Sequence, residues 1–168
     1  MNKLKICDPM DDVTDMGPLA QESGIKTVEE QLKDALDKGA KITRHPGPIP
    51  DGDRYLLPAI LTNANHRMEI MMEETFGPII GMMGVNSDEE AIQLMNDSPY
   101  GLTASVWTND AEKALKIGNR IETGTFFMNR CDYLDPSLPW VGVKDSGKGC
   151  TLSVLGIQQL TRPKGYNF

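Results

Sequence analysis

The chain has 168 residues, of which 39% are hydrophobic and 24% are charged, a composition typical of a globular protein with one sizeable core. Its formal net charge of −7 would repel a phosphate backbone, which argues against a nucleic-acid partner. No apolar run approaches the roughly 18 to 20 residues of a membrane span, and residues 1–5 lack the apolar stretch of a signal peptide. We therefore expect a cytoplasmic protein with no membrane partner.

The cysteines and histidines suggest no metal or disulfide chemistry. Cys7, Cys131 and Cys150 are an odd, widely spaced set without a CxxC pair, so neither a disulfide framework nor a metal site is expected. His45 and His66 lie in polar, turn-rich surroundings and are expected on the surface.

The first predicted element follows an extended loop over residues 1–22. Thr27 and Glu30 form a capping box, apolar residues then recur at helical spacing, and Gly39 follows as a stop signal. This pattern predicts an amphipathic helix that begins at Thr27. A loop rich in proline and glycine covers residues 44–54.

An alternation of strands and helices is predicted from residue 55 onward. Residues 55–61 are apolar, but Pro58 within them indicates an edge or interrupted strand. Strands are then predicted over 79–85, 103–108 and 125–128.

Two helices are predicted between these last three strands. One begins at a capping box of Ser87 and Glu90 and reaches about Asn96, and the other begins at an Asn109 cap and reaches Ile121. The resulting βαβαβ order predicts parallel strand pairing.

Adjacent carboxylates precede the first of these strands. Glu73 and Glu74 run through Thr75 and Phe76 into a Gly77-Pro78 break, which places the acids at the mouth of a sheet. Ligands commonly bind at sheet mouths in α/β proteins. The alternative is a solvated acidic turn, which is the commoner origin of a charged pair.

The amino-acid composition changes over the last forty residues. Residues 142–149 are rich in glycine and lysine, but they do not match the GxxxxGK[ST] phosphate loop, so they are a weak candidate for a nucleotide cradle. A short helical segment is predicted over residues 151–159.

Several separated motifs, in this order and spacing, resemble the aldehyde dehydrogenase family. They are Asp15-Met16-Gly17-Pro18-Leu19, Gly39-Ala40-Lys41, residues 73–79, residues 96–106, residues 124–129 and residues 142–149. The resemblance covers nearly all of this chain, but only the C-terminal part of the family's longer chain. It implies an α/β, three-layer sandwich with a mainly parallel sheet, formed by the C-terminal portion of the catalytic domain over residues 1–159. Residues 160–168 would begin an oligomerisation strand.

The resemblance also implies a function. Members oxidise an aldehyde to a carboxylic acid and pass hydride to NAD or NADP through a cysteine-bound intermediate. The family's cofactor-binding positions fall on Glu74, which would hold the nicotinamide ribose, and Phe76, which would pack beside the nicotinamide. Its substrate-tunnel positions fall on Leu134 and Trp140. An aldehyde substrate and a homo-oligomer are the implied partners.

The family's nucleophilic cysteine, general base and dinucleotide-binding domain match no part of this chain, so we expect none of its residues to be catalytic. The isolated chain is expected to be inactive and to bind no cofactor alone. Gly24 and Thr27 stand where some relatives place a polar or basic side chain near the adenosine ribose, so no cofactor contact is expected from that helix. Two alternatives stay open: a non-catalytic assembly module derived from this family, and a separate thiol enzyme using Cys131.

Overall fold

A computed structural model describes residues 1–131 and 133–168. The chain divides into two units, Met1–Gly84 and Val85–Phe168, each with its own helices and strands. Both units mix helices with parallel and antiparallel strands, so the predicted α/β class is confirmed. Among the described residues, no helix is both long and apolar enough to cross a membrane.

The first unit contains two helices and one three-stranded sheet. Its elements are α1 Glu22–Asp37, β1 Lys41–Arg44, β2 Ala59–Thr62, α2 Glu69–Met72 and β3 Ile79–Gly81. The strand order is β1-β2-β3, with β1 antiparallel and β3 parallel to the central β2. The buried face of α1 packs with the sheet in a core whose most buried large side chains are Leu61, Met68 and Val28.

Helix α1 begins five residues earlier than the sequence predicts. Ile25 packs against the same core as Val28, so the apolar stripe extends one turn toward the N-terminus. Thr27 therefore lies inside the helix, where its hydroxyl donates to the carbonyl of Ser23 at 3.2 Å. The predicted capping box is wrong, although the helix ends at Asp37, close to the predicted stop at Gly39.

Two strands of this unit are shorter than predicted. Strand β2 begins directly after Pro58, which lacks an N–H to donate to a sheet, and the carbonyl of Pro58 accepts instead from the His45 N–H at 2.8 Å. Strand β3 pairs with β2 over three residues only, from Ile79 to Gly81.

His45 is buried, which corrects the expectation of a surface residue. Its Nδ1 accepts from the N–H of Gly47 at 3.0 Å, so the proton is on Nε2, which donates to the carbonyl of Leu4 at 3.0 Å. The imidazole thereby attaches the N-terminal segment to the loop after β1.

The described residues of the second unit form three helices and six short strands. They are α3 Asp88–Asn96, β4 Tyr100–Gly101, β5 Thr103–Val106, α4 Ala111–Gly118, β6 Thr125–Met128, β7 Trp140–Val141, β8 Val143–Lys144, β9 Cys150–Thr151 and α5 Ser153–Gln159. Strands β5 and β6 are parallel, and β4-β8 and β7-β9 are antiparallel pairs.

The predicted order of strands and helices is confirmed between β3 and β6. Ser87 caps α3 by accepting from the N–H of Glu90 at 3.1 Å, while α4 is capped by Asp110, one residue after the predicted Asn109. The parallel pairing expected across a helical crossover is found for β5 and β6. Strand β3, however, belongs to the three-stranded sheet of the first unit, so the three strands do not form one continuous ladder in the described residues.

Candidate functional site

The acidic motif forms the connection between α2 and β3. Helix α2 ends at Met72, the N–H of Glu73 still donates to the carbonyl of Glu69 at 2.8 Å, and the strand opens directly after Pro78. The motif therefore lies at the amino end of β3, whereas open parallel sheets usually bind ligands at their carboxyl ends. The motif thus lies away from the usual ligand-binding end of a sheet, and any site here is formed by the residues that surround the loop.

Helix α1 holds the backbone of this loop through one buried amide. The side chain of Gln31 donates from Nε2 to the carbonyl of Glu74 at 3.2 Å and accepts at Oε1 from the hydroxyl of Thr75 at 2.7 Å. Gln31 is only 3% exposed. Both ends of its amide are satisfied by two successive residues of the loop, which places Glu74 at a defined position beside α1.

Close packing attaches the other end of the loop to the same helix. A Cβ added to Gly77 would lie 2.5 Å from Cγ2 of Val28, a stiff and fully buried side chain. Glycine is therefore the residue that allows this approach. The loop is thus held against α1 on both sides of Phe76.

The start of α2 is held by α1 as well. Asp34 accepts from the N–H of Glu69 at 2.9 Å and forms an ion pair with Lys38. The hydrogen bond from Lys38, followed by that from the Glu69 N–H, lowers the pKa of the Asp34 carboxyl below its ordinary value. Gln31, Asp34 and Lys38 recur at spacings of three and four, so one stripe of α1 contacts the segment from α2 to β3.

A cleft of about 380 Å³ lies between this loop and the first turns of α1. Glu74 and Phe76 line one side, and Ser23, Gly24 and Thr27 line the other. Glu74 is exposed and Phe76 is 80% exposed, so a carboxylate and an aromatic ring are both available to a ligand. The short side chains of Gly24 and Thr27 leave the helix side of the cleft open.

The predicted tunnel residues lie in the second unit. Trp140 is half-buried at the start of β7 and lines a small pocket of about 90 Å³ with Phe127 and Tyr133. Arg130 stacks on the Tyr133 ring at 3.9 Å. Leu134 is 57% exposed and does not line that pocket among the described residues.

The three cysteines differ in their exposure to solvent. Cys7 and Cys150 are half-buried and Cys131 is exposed. The Cys150 thiol donates to the carbonyl of Thr151 at 3.4 Å, and no hydrogen bond from a thiol to histidine or glutamate is found in residues 1–131 and 133–168. Within those same ranges, no group of three or more histidine, cysteine, aspartate or glutamate side chains could hold a metal ion.

Gln31 and Asp34 are the functional candidates that sequence analysis missed. The available signal was modest: Gln31 interrupts the apolar face of α1 formed by Val28, Leu32 and Ala35. A polar residue on a buried helix face must find hydrogen-bond partners. The sequence identifies that requirement, but only the fold shows that the partners are Glu74 and Thr75.

Comparison with known proteins agrees with these motifs. The sequence model of the aldehyde dehydrogenase family matches residues 1–165. An aldehyde dehydrogenase of Paenarthrobacter nicotinovorans is 43% identical over 158 residues, which are 94% of this chain and 34% of that relative. A succinate-semialdehyde dehydrogenase [NADP(+)] of Mycobacterium avium (strain 104) is 36% identical over 164 residues, 98% of this chain and 35% of that relative.

The fold is also similar to that of a solved aldehyde dehydrogenase. The crystal structure of Mycobacterium tuberculosis aldehyde dehydrogenase complexed with NAD+ matches with a TM-score of 0.87 and 32% identity, over 99% of this chain and 36% of that one. The chain thus spans about a third of the length of the relatives it matches. Because the family model covers almost every residue and the fold is that of part of such an enzyme, the chain belongs to the aldehyde dehydrogenase family.

Proposed function

We propose that this chain supplies the cofactor-ribose contact and part of the substrate tunnel of an NAD- or NADP-dependent aldehyde dehydrogenase. The complete enzyme oxidises an aldehyde to a carboxylic acid. The observation that carries the proposal is the cleft beside α1, where an exposed carboxylate and an exposed ring are presented by a loop anchored through Gln31.

The described residues fit a nicotinamide cofactor at this cleft. The Glu74 carboxylate has two oxygens and can accept hydrogen bonds from both hydroxyls of a ribose diol, and Phe76 offers a flat apolar surface to a ring. The cofactor would supply the hydride acceptor. The residues of this chain would bind and orient it, and Phe76 would exclude water from one side of the reacting ring.

The proposed substrate is an aldehyde. Trp140 lines an aromatic pocket and Leu134 lies exposed in the preceding loop, so both are available as apolar walls of a tunnel. The relatives with named substrates include one for succinate semialdehyde, and NAD+ and NADP+ are both named among them. We therefore propose an aldehyde as the substrate and either NAD or NADP as the cofactor.

Residues 1–159 are proposed to be the C-terminal portion of the catalytic domain, and no residue among them is assigned as nucleophile or base. On that assignment, the 168-residue chain by itself does not oxidise aldehydes and binds no cofactor with useful affinity. Covalent catalysis and acid–base catalysis each lower the activation barrier by several kcal/mol, and the isolated chain would lack both. The cytoplasmic location stays a prediction from the sequence.

The test compares the isolated chain with a completed enzyme. Sequencing the reading frame upstream of Met1 and measuring the intact mass come first. If the frame encodes an upstream part, that natural protein is the completed enzyme; otherwise, this chain is joined to the upstream two thirds of the Paenarthrobacter nicotinovorans relative. We expect NADH or NADPH production from an aldehyde only in the completed enzyme. Steady production by the verified pure 168-residue chain, or a folded completed enzyme that binds neither cofactor, would contradict the proposal.

A second proposal is self-association, which a purely structural assembly module would share. Helix α5 exposes Val154 and Ile157, and Leu160 directly after it is 89% exposed. Tyr166 and Phe168 stack on one another near the end of the chain and are also exposed. Apolar surface of this kind commonly marks an interface. We propose that residues 160–168 begin a strand that pairs with a second copy, and a monodisperse monomer in light scattering across a wide concentration range would count against this.

A further inference from the structure

A hydrogen bond holds the main chain of Glu74, whereas its carboxylate takes part in no hydrogen bond or ion pair found among the described residues. The carbonyl of Glu74 accepts from Gln31, whereas the side chain of Glu74 lines the open cleft. The hydroxyl of the next residue, Thr75, donates to the other end of the same amide. The two bonds determine where the Cα of Glu74 lies and leave the functional group available.

We propose that Gln31 is a positioning residue for Glu74, and this inference rests on the function proposed above. Gln31 is buried and is not among the residues that line the cleft, so it would act on the cofactor only through the loop that it holds. By ordering the loop in advance, it reduces the conformational entropy that cofactor binding would otherwise have to remove.

The chemistry of the side chain is specific to glutamine. The Glu74 carbonyl requires a donor and the Thr75 hydroxyl requires an acceptor, and a primary amide provides both from one planar group. A carboxylate at this position would keep the acceptor and lose the donor. A methionine would keep the length and the helical preference of the side chain and lose both bonds.

The position of Gln31 on α1 makes its effect local. Asp34 and Lys38, one and two turns along the same helix, hold the N-terminal end of α2, and Val28, one turn before, packs against Gly77. These contacts remain when Gln31 is replaced. Loss of the amide therefore releases the centre of the loop while both of its ends stay attached to α1.

The experiment uses three single variants and one double variant. Gln31→Met removes both hydrogen bonds, Thr75→Val removes one and keeps the shape, the double variant combines these two changes, and Gln93→Met is the matched control. Gln93 lies exposed on α3, so the same chemical change is made away from the loop. Two quantities are measured. One is the rate at which glutamyl endopeptidase cleaves the native 168-residue chain after Glu73 and Glu74, with products identified by mass. The other is the dissociation constant of NAD+ and of NADP+ in the completed enzyme.

We expect cleavage at the loop to be about three- to tenfold faster in Gln31→Met and less accelerated in Thr75→Val, since each neutral hydrogen bond contributes modestly. Cofactor dissociation constants should rise by a similar factor of about three to ten, with an unchanged KM for the aldehyde. The Gln93→Met control should match wild type in both measurements. The double variant should lose less than the sum of the single effects, because Gln31 and Thr75 share one bond.

Each other outcome has a definite meaning. Cleavage at the wild-type rate in Gln31→Met would overturn the positioning role. Faster cleavage with unchanged cofactor affinity would show that the loop is held for stability alone, and would also overturn it. If Gln31→Met fails to fold, Thr75→Val decides between the same results. A completed wild-type enzyme that binds neither cofactor would overturn the proposed function, and the cleavage rates would then decide separately whether Gln31 holds the loop.

Discussion

Replacing Glu74 by glutamine in the completed enzyme is expected to slow hydride transfer about tenfold or more. A charge-assisted hydrogen bond contributes about 1.5 to 3 kcal/mol, and the amide of glutamine can accept at one atom only. One of two bonds to the ribose is thereby weakened without a change of shape. The nicotinamide would be less firmly oriented, and the deuterium isotope effect should increase if hydride transfer becomes limiting. Single-turnover kinetics with deuterated aldehyde measure both quantities.

Glu73→Gln is the matched control for this prediction. Glu73 is the neighbouring exposed glutamate, and it does not line the cleft among the described residues. Its replacement should leave turnover close to wild type, since surface substitutions usually change free energies by no more than about 0.5 kcal/mol. The rate at which the nucleophilic cysteine of the completed enzyme is alkylated should be unchanged in both variants, because the proposed function gives neither glutamate a role in activating that thiol. Equal kinetics in Glu74→Gln, Glu73→Gln and wild type would make the motif an acidic surface turn.

Local signals predicted the bounds of two elements closely. The strand Thr125–Met128 has the predicted bounds, and the helix capped by Ser87 begins and ends as expected. In both cases the residues that define the element are adjacent in sequence. Secondary structure determined by short-range hydrogen bonds and by one clear period can therefore be predicted from sequence alone.

Tertiary contacts explain the elements that were misplaced. Helix α1 begins early because Ile25 packs on the core, and His45 is buried because Leu4, far away in sequence, supplies a hydrogen-bond partner. Strand β3 ends at Gly81, where its pairing with β2 ends. None of these partners is adjacent in sequence to the residue that it affects, so the sequence pattern around each residue could not predict them.

In the candidate site, too, features set by adjacent residues were predictable and features set by tertiary contacts were not. The motif itself predicted that Glu74 and Phe76 belong to one loop, and they line one cleft. The anchor on Gln31 depends on the packing of α1 against that loop, across a separation of 43 residues between Gln31 and Glu74. Chemistry carried by neighbouring residues was predictable from the sequence. The residues that support it were not, because their partners are decided by the fold.

The requirement for glycine at position 124 also depends on a contact with a residue that is distant in sequence. Replacing Gly124 by alanine is expected to destabilise the second unit by about 3 kcal/mol or more. Gly124 directly precedes β6, and a Cβ there would overlap the carbonyl oxygen of Val141 and lie 2.5 Å from its carbonyl carbon. Both atoms belong to the backbone of β7, so rotation of a side chain cannot relieve the overlap. The strand itself must move, which disturbs its pairing with β9, and overpacking of this kind costs at least the upper end of the usual range of about 1 to 3 kcal/mol. Gly165→Ala is the control, because an added Cβ there meets no described atom within 4 Å. Urea unfolding followed by circular dichroism measures both variants, and a midpoint for Gly124→Ala equal to that of Gly165→Ala would show that β6 and β7 do not approach each other this closely.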